Sequence, residues 1–318
     1  MSAAPNPRVA APAENRGNDR FLNASVIADP VRYRRWRADK LKRARGCLAQ
    51  PVVEVGDPAH LTAAELSALR ERVEAVNFAL YRTAAAFDHL ALKRLCRQAG
   101  LARLVANPFA EASGISEIRA AARGQSRRAY IPYSNRALDW HTDGYYHPPG
   151  RPINGFALHT VRAAPRGGAN QLLDHEILYL LLRDRAPALA ACLFADDVLT
   201  IPPGTGADGA RRPAQTGPVF WVCGGRLQMR FTLRQRHICW KESPQVRAVL
   251  AEIKSILNDP DSPLMLTRRL RAGEGIICNN VLHNRAAFTV PADGQPGRLV
   301  LRARFYDRIG FNGEGGGA

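Results

Sequence analysis

Apolar positions along this chain recur with two different periods, and the change between them organises the whole sequence. Up to about residue 100 the large apolar side chains come at three-to-four spacing, as in helices that bury one face. Asp29-Pro30 opens a predicted helix over 31–45, with Tyr33, Trp36 or Arg37, and Lys40 or Leu41 on one side. Residues 51–55 read as a strand, stopped by Gly56-Asp57-Pro58. Thr62 with Glu65 forms a capping box that starts a helix to about Val76. A short apolar piece, 77–81, precedes another helix over 87–100 that ends at Gly100.

From Ile115 the pattern changes to short extended runs punctuated by glycine and proline. They fall at 115–121, 130–133, 155–161, 170–173, 197–201, 219–222, 227–231, 275–278 and 298–306. Cys223-Gly224-Gly225-Arg226 reads as a hairpin turn joining two of them. Helices over 175–183, capped by Asp174, and over 244–257 interrupt the series. Many short strands with a few helices give an α+β fold with a β-rich core, in the manner of a sandwich or barrel. No repeat or linker divides it, so a single domain over 29–312 is expected. Residues 1–28 hold proline and polar side chains with few large apolar ones, which predicts a disordered or loosely docked arm. The glycine-rich residues 313–318 read as a flexible tail.

Charge changes this picture only modestly. There are 45 Lys and Arg against 28 Asp and Glu, a net +17 that attracts anions, nucleic acids and acidic metabolites included. The excess is nearly all arginine, and no nucleic-acid-binding motif accompanies it, so a nucleic-acid partner is not expected. The run 31–45 is read as a solvated basic face on a helix anchored by Trp36 and Leu41. Six scattered cysteines without a CxxC pair suit reduced thiols and a cytoplasmic location. No apolar window is long enough for a membrane span, and no leader-like apolar segment opens the chain. Nothing in the pattern marks an interface, so a homo-oligomer stays open.

The chemistry concentrates near the middle of the chain, in Trp140-His141-Thr142-Asp143-Gly144. His141 and Asp143 stand two apart, and on an extended segment both side chains face one way and can converge on one ion. A second imidazole would complete a facial triad for Fe(II), with open positions opposite for a co-substrate and oxygen. His283, just after the Gly-flanked apolar run 275–278, is the better placed candidate, and His237 is its competitor. Gly144 is small enough to let a co-substrate approach, and Tyr145 and Tyr146 are positioned to wall a pocket. Further on, Arg298, Val300 and Arg302 share one strand face. A buried arginine needs an anionic partner, and a dicarboxylate held bidentately is one.

Trp140-His141-Thr142-Asp143, Gly167-Gly168-Ala169-Asn170, and His283 with Arg298 and Arg302 together resemble the taurine-dioxygenase and clavaminate-synthase-like family of Fe(II)/2-oxoglutarate dioxygenases. The resemblance spans roughly residues 130–308. It implies a double-stranded β-helix, or jelly-roll, core flanked by helices. It also implies iron held by His141, Asp143 and His283, with 2-oxoglutarate chelating that iron and its far carboxylate held by Arg298. Asn170 stands where the family usually has a Thr or Ser that shares this carboxylate, and its amide can still donate a hydrogen bond. Arg302 matches the arginine that binds the sulfonate in the taurine enzyme. The reaction implied consumes 2-oxoglutarate and O2, releases succinate and CO2, and oxidises a C–H bond. Asp143 at the position that halogenases leave without a ligand favours hydroxylation or a related oxidation over chlorination.

Tyr133, Asn135, Tyr145 and Tyr146 flank the first ligands and are candidates for the substrate site. Arg230, Arg234, Arg236 and His237 read as a solvated strand edge rather than an anion site. The expectation is therefore a dioxygenase acting on a small anionic or zwitterionic metabolite. The alternatives are a basic nucleic-acid-associated protein, or a jelly-roll metal-binding protein without turnover.

Overall fold

The computed structural model describes residues 21–121, 124–148, 150–206, 209, 211–234, 238–292 and 295–310. The expected tail at 313–318, residues 1–20 of the expected arm, and Arg236 and His237 lie outside the described residues. The main sheet has six strands in the order β1 (Val52–Glu54), β2 (Phe78–Arg82), β15 (Glu274–Cys278), β5 (Gly155–Arg162), β17 (Leu299–Phe305) and β3 (Ser116–Ile118). Only the β1–β2 pair in it is parallel. A second, antiparallel sheet orders β14 (Leu266–Arg268), β6 (Asn170–Leu173), β16 (Leu282–Arg285) and β4 (Leu138–His141).

Three small sheets complete the β structure. These are β10 (Gln215–Gly217) with β7 (Leu199–Ile201) and β13 (Cys239–Trp240), the hairpin β11 (Phe220–Cys223) with β12 (Arg226–Met229), and β8 (Gly204–Thr205) with β9 (Arg211–Arg212). The helices are α1 (Ala24–Ala28), α2 (Pro30–Ala49), α3 (Ala63–Val76), α4 (His89–Gln98), α5 (His175–Arg185), α6 (Pro187–Cys192) and α7 (Pro244–Leu257). The class is α+β, as expected, and among the described residues the sheets form no closed barrel.

The period-two alternation of the main sheet sends its side chains into two cores. Ala79, Tyr81, Ala157, Ile277, Leu301, Ala303 and Phe305 pack on one side with Leu69, Val73, Leu92 and Leu95 of α3 and α4. Phe78, Leu80, Phe156, Ile276 and Cys278 face the other way, into the core shared with Trp140, Leu172, Leu173 and Leu282 of the second sheet. Strands covered on both faces read as continuous apolar runs, which is why 77–81 and 275–278 stood out in the sequence. The same alternation turns Arg302 and Arg304 of β17 inward, opposite Leu301, Ala303 and Phe305.

α2 is capped by Asp29, whose Oδ1 accepts from Val31 N and Arg32 N, with Pro30 at the first helical position. It buries Tyr33, Trp36, Lys40 and Ala44. At the ambiguous position, Lys40 and not Leu41 takes the fully buried place. Its ammonium lies 2.6 Å from Asp174 Oδ2 and 2.6 Å from Glu176 Oε2. Asp174 also caps α5 by accepting from Glu176 N, as the sequence predicts, and accepts from Asn77 Nδ2 at 2.9 Å. Burial by itself would strip Lys40 of its proton and push Asp174 up. The attraction within the cluster outweighs it, so Lys40 is raised and Asp174 lowered from their ordinary values.

Of the two readings of the arm, disordered or loosely docked, the segment 21–28 takes the docked one: Leu22 and Val26 are fully buried, Leu227 N donates to Leu22 O, and Arg226 stacks on Phe21. Three apolar residues suffice because the hairpin β11–β12 and α2 supply a ready surface. Residues 130–133 form 3-10 turns (Ser126–Ala129 and Ile131–Tyr133) instead of a strand, with Tyr133 N donating to Tyr130 O around Pro132. The hairpin turn is as predicted, with Gly224 and Gly225 both at positive φ, 57° and 68°, and Cys223 paired with Arg226. Among the described residues no helix is long and apolar enough to cross a membrane.

Lys40→Met would leave Asp174 and Glu176 buried without their cation and should destabilise the protein by about 3–5 kcal/mol, seen as a lower denaturant midpoint. In the native protein the Asp174 contribution is present above about pH 4 and lost as pH falls through its depressed folded value. The Lys40 contribution is present below about pH 10 and lost as pH rises through its raised folded value. Unfolding midpoints against pH should therefore show a plateau between those limits that Lys40→Met lowers.

Candidate metal centre

Strand β4 ends at His141, and β16 runs antiparallel beside it with His283 directly opposite His141 in register. The two imidazole centroids are 4.2 Å apart. Asp143, two residues past His141, brings its Oδ1 to 3.6 Å from His141 Nε2. One ligand atom from each of His141, Asp143 and His283 lies within 4.8 Å of the others. His141 and Asp143 are buried, and the His283 ring packs 4.7 Å from the Phe156 ring.

Backbone carbonyls choose the tautomer of both histidines. His141 Nδ1 lies 2.9 Å from Asp139 O, and His283 Nδ1 lies 3.0 Å from Val281 O. A carbonyl only accepts, so each Nδ1 carries the proton and each Nε2 presents a lone pair, the arrangement a metal ligand needs. Burial, and then the neighbouring His141, push His283 down to about 3, so its ring is neutral. Burial opposes ionisation of Asp143, but the neighbouring His141 and the charges of Arg302 and Arg304 hold it well below the usual carboxylate range.

Asn280, absent from the candidates read from sequence, frames the carboxylate ligand. Its Oδ1 accepts from Asp143 N at 2.7 Å, and its Nδ2 donates to Asp143 O at 2.9 Å and to Ile153 O at 2.7 Å. It adopts φ 50°, a left-handed conformation that asparagine tolerates better than most residues. The one available signal was an Asn-Asn pair interrupting an apolar strand just ahead of His283. Gly144 follows Asp143 at φ 67°, and a Cβ there would fall 2.5 Å from Ile153 Cδ1. Its smallness serves the turn after the ligand rather than access for a co-substrate. Thr142 is tied to the segment beyond β12, with Thr142 N donating to Phe231 O at 2.9 Å.

Asn170 and Arg298 come together at a small cavity also lined by Thr160, Gly167 and Gly168. Arg298 Nη1 is buried without a hydrogen-bond partner, its guanidinium stands 5.3 Å from the Phe288 ring, and burial pushes its pKa down to about 10. Arg285, also missed in the sequence, spends its guanidinium on the carbonyls of Pro132, Ser134 and Arg136 and so pins the loop before β4.

The remaining candidates divide. Tyr145 is buried, and burial raises its pKa against the opposing charge of Arg234. The Tyr146 hydroxyl accepts from Arg304 Nη1 at 3.2 Å. Tyr133 packs in a satellite core with Ile118, Ala121 and Val300, while Asn135 is exposed and contributes its backbone carbonyl to Phe288 N. Arg230 is buried instead of solvated, donating to the carbonyls of Leu199, Gln215 and Gly217. A cavity of about 260 Å³ has Asp143, Trp221, Met229 and Arg230 in its wall but neither histidine, so it lies on the Asp143 side of the centre.

Two imidazoles and a carboxylate on adjoining strand ends, with a half-buried arginine whose Nη1 has no partner, fit a ferrous ion and an anionic co-substrate. That donor set defines a non-haem iron oxygenase. The chain belongs to the taurine catabolism dioxygenase TauD, TfdA family, whose model matches residues 40–304. It is accordingly an Fe(II)/2-oxoglutarate-dependent dioxygenase, using iron, 2-oxoglutarate and O2.

Solved structures share its fold. An asparagine oxygenase in complex with Fe(II), 2S,3S-3-hydroxyasparagine and succinate is 16% identical over 85% of this chain and 90% of that one, with a TM-score of 0.52. A taurine dioxygenase from Burkholderia xenovorans is 16% identical over 79% and 87%, with a TM-score of 0.55. The non-heme iron oxygenase OrfP, in complex with Fe and alpha-ketoglutaric acid, is 15% identical over 88% and 86%, with a TM-score of 0.56. No curated protein sequence matches the chain significantly.

Because Asn280 acts on Asp143 through the backbone, Asn280→Ala should weaken binding of Fe(II), or of Co(II) as a probe, by about 10–100-fold while leaving the far-ultraviolet dichroism unchanged. Metal titration of the apo-protein checks this, and an unaltered affinity would mean that the turn holds Asp143 without it.

Proposed function

We propose that this dioxygenase oxidises a C–H bond of a small anionic or zwitterionic metabolite, releasing succinate and CO2 from 2-oxoglutarate, in the cytoplasm. The observation that carries this reading is the cluster of His141, Asp143 and His283 with the half-buried Arg298, its buried Nη1 unpartnered, beside Asn170. On the same reading the six- and four-stranded sheets are the two halves of a double-stranded β-helix. The cytoplasmic assignment rests on the six cysteines, all of them free thiols.

Bound iron with 2-oxoglutarate would supply the oxidant, by reducing dioxygen as the keto acid loses CO2. The protein's own groups do the rest. His141 and His283 offer Nε2, and Asp143 offers a carboxylate oxygen that is ionised before any metal arrives. Arg298 holds the far carboxylate of 2-oxoglutarate, and the Asn170 amide adds a hydrogen bond. The Phe288 face keeps the Arg298 fork in one plane. Phe156 against His283 excludes water from the coordination side. Arg302, Tyr145 and Tyr146 receive the substrate, whose acidic group answers the local excess of positive charge.

Adding Fe(II) and 2-oxoglutarate without oxygen should produce a visible metal-to-ligand charge-transfer band, and His141→Ala, Asp143→Ala or His283→Ala should abolish it. A wild-type protein without the band, or variants that keep it, would refute the site. Arg298→Ala should raise the 2-oxoglutarate concentration needed for the band about 100-fold, near 3 kcal/mol for a lost charged hydrogen-bond pair, with metal affinity unchanged.

A further inference from the structure

Strand β17 presents more positive charge to the centre than the co-substrate uses. Arg304 pairs in register with Phe156, whose ring touches His283, and Arg302 pairs with Leu158 one step along the same inner face. Both guanidinium groups act on Asp143, favouring its ionised form. Arg304 is buried, and its hydrogen bond goes to a neutral partner, the Tyr146 hydroxyl, at 3.2 Å. Arg302 Nε is buried with no partner. A buried and a half-buried cation facing one carboxylate are unfavourable until anions arrive to pair with them.

The charges can be counted on the oxygenase reading above, on which this inference rests. The two positive charges of iron are matched by Asp143 and one carboxylate of 2-oxoglutarate, and Arg298 is matched by the other. Arg302 and Arg304 remain, about 7 Å apart along the strand as alternate residues are. The rim adds to the same field: the Arg212 guanidinium lies 5.9 Å from the Tyr146 ring, and the charge of Arg234 acts on Tyr145.

We propose that Arg302 and Arg304 are separate seats for two acidic groups on one molecule, so that the primary substrate is a short dianionic organic acid. Tyr146 completes the second seat, its hydroxyl sharing the anion that Arg304 binds. Bidentate pairing at each fork fixes the substrate at both ends and presents the intervening carbons to the metal. Arg212 and Arg234 raise the local concentration of such anions at the entrance. A monoanion would leave one guanidinium buried and unpaired, and this is the basis of discrimination.

The test uses the protein loaded anaerobically with Fe(II) and saturating 2-oxoglutarate, titrated with four- to seven-carbon diacids, with and without an α-amino group, and with their monoamides. Binding is read by calorimetry and by perturbation of the charge-transfer band. At least one diacid should bind tenfold or more tightly than its monoamide. Arg304→Met should bring that ratio to about one without changing the 2-oxoglutarate concentration at half-maximal band, Tyr146→Phe should reduce it severalfold, and Arg304→Lys, which keeps the charge if the Met variant does not fold, should retain part of it. If no diacid exceeds its monoamide, or if the ratio survives in the Met and Phe variants, the two-seat assignment is overturned. A missing band in the wild type would instead overturn the oxygenase reading, and the same titrations on metal-free protein would still decide the anion seats.

Discussion

The hydrogen-bonded register between β4 and β16 is the constraint on which the centre depends. His141 and His283 are far apart in sequence, and only the pairing that sets them opposite each other brings both Nε2 atoms to one point. A slip of one residue would turn one imidazole to the other face of the sheet. Several features resist such a slip. β16 is clamped on its other side by β6, from Leu282 against Leu173 to Arg285 against Asn170. Asn280 ties the turn before β16 to the backbone of Asp143. Thr142 is held by Phe231, so the strand end that carries two ligands is bonded on both edges.

Inward-facing charge is used in three contrasting ways in this molecule. Lys40 is closed off by Asp174 and Glu176, and Asn77 donates to the other oxygen of Asp174. Such a cation is paired by side chains of the fold and asks nothing of a ligand. Arg298, Arg302 and Arg304 are not balanced by acidic side chains, and orphaned nitrogens remain on the first two. The first arrangement locks α2 onto α5, and the second is a demand for anions placed around a metal centre. Arg230 and Arg285 show a third solution, in which a guanidinium donates to backbone carbonyls and so serves loops instead of ligands. An arginine-rich sequence cannot be sorted into these classes without the partners in view.

The alternation of β17 links fold to chemistry. Leu301, Ala303 and Phe305 are committed to the core beneath α4, and the pleat then leaves Arg302 and Arg304 no direction but inward. Apolar packing on the far side of the sheet thereby positions charge on the near side.

Much of this was legible locally. The alternation and spacing of apolar residues marked strand 170–173 and helix 244–257 at the bounds the structure has, and the Thr62–Glu65 capping box, the Asp174 cap and the double-glycine hairpin were read from residues adjacent in sequence. The His-x-Asp pair and His283 follow from residue type and a period of two, whereas a register shift between Leu299 and Val300 interrupts that period between Arg298 and Arg302. What only the tertiary structure decided involves partners distant in the chain: the docking of Leu22 and Val26, the choice of Lys40 over Leu41 as the buried residue, the clasp of Asn280 on Asp143, and the turn of Arg304 toward Tyr146. Periodicity and caps are short-range and written in the sequence. Whether a charged or small apolar residue is buried depends on a surface assembled from elsewhere, and that is settled only when the sheets meet.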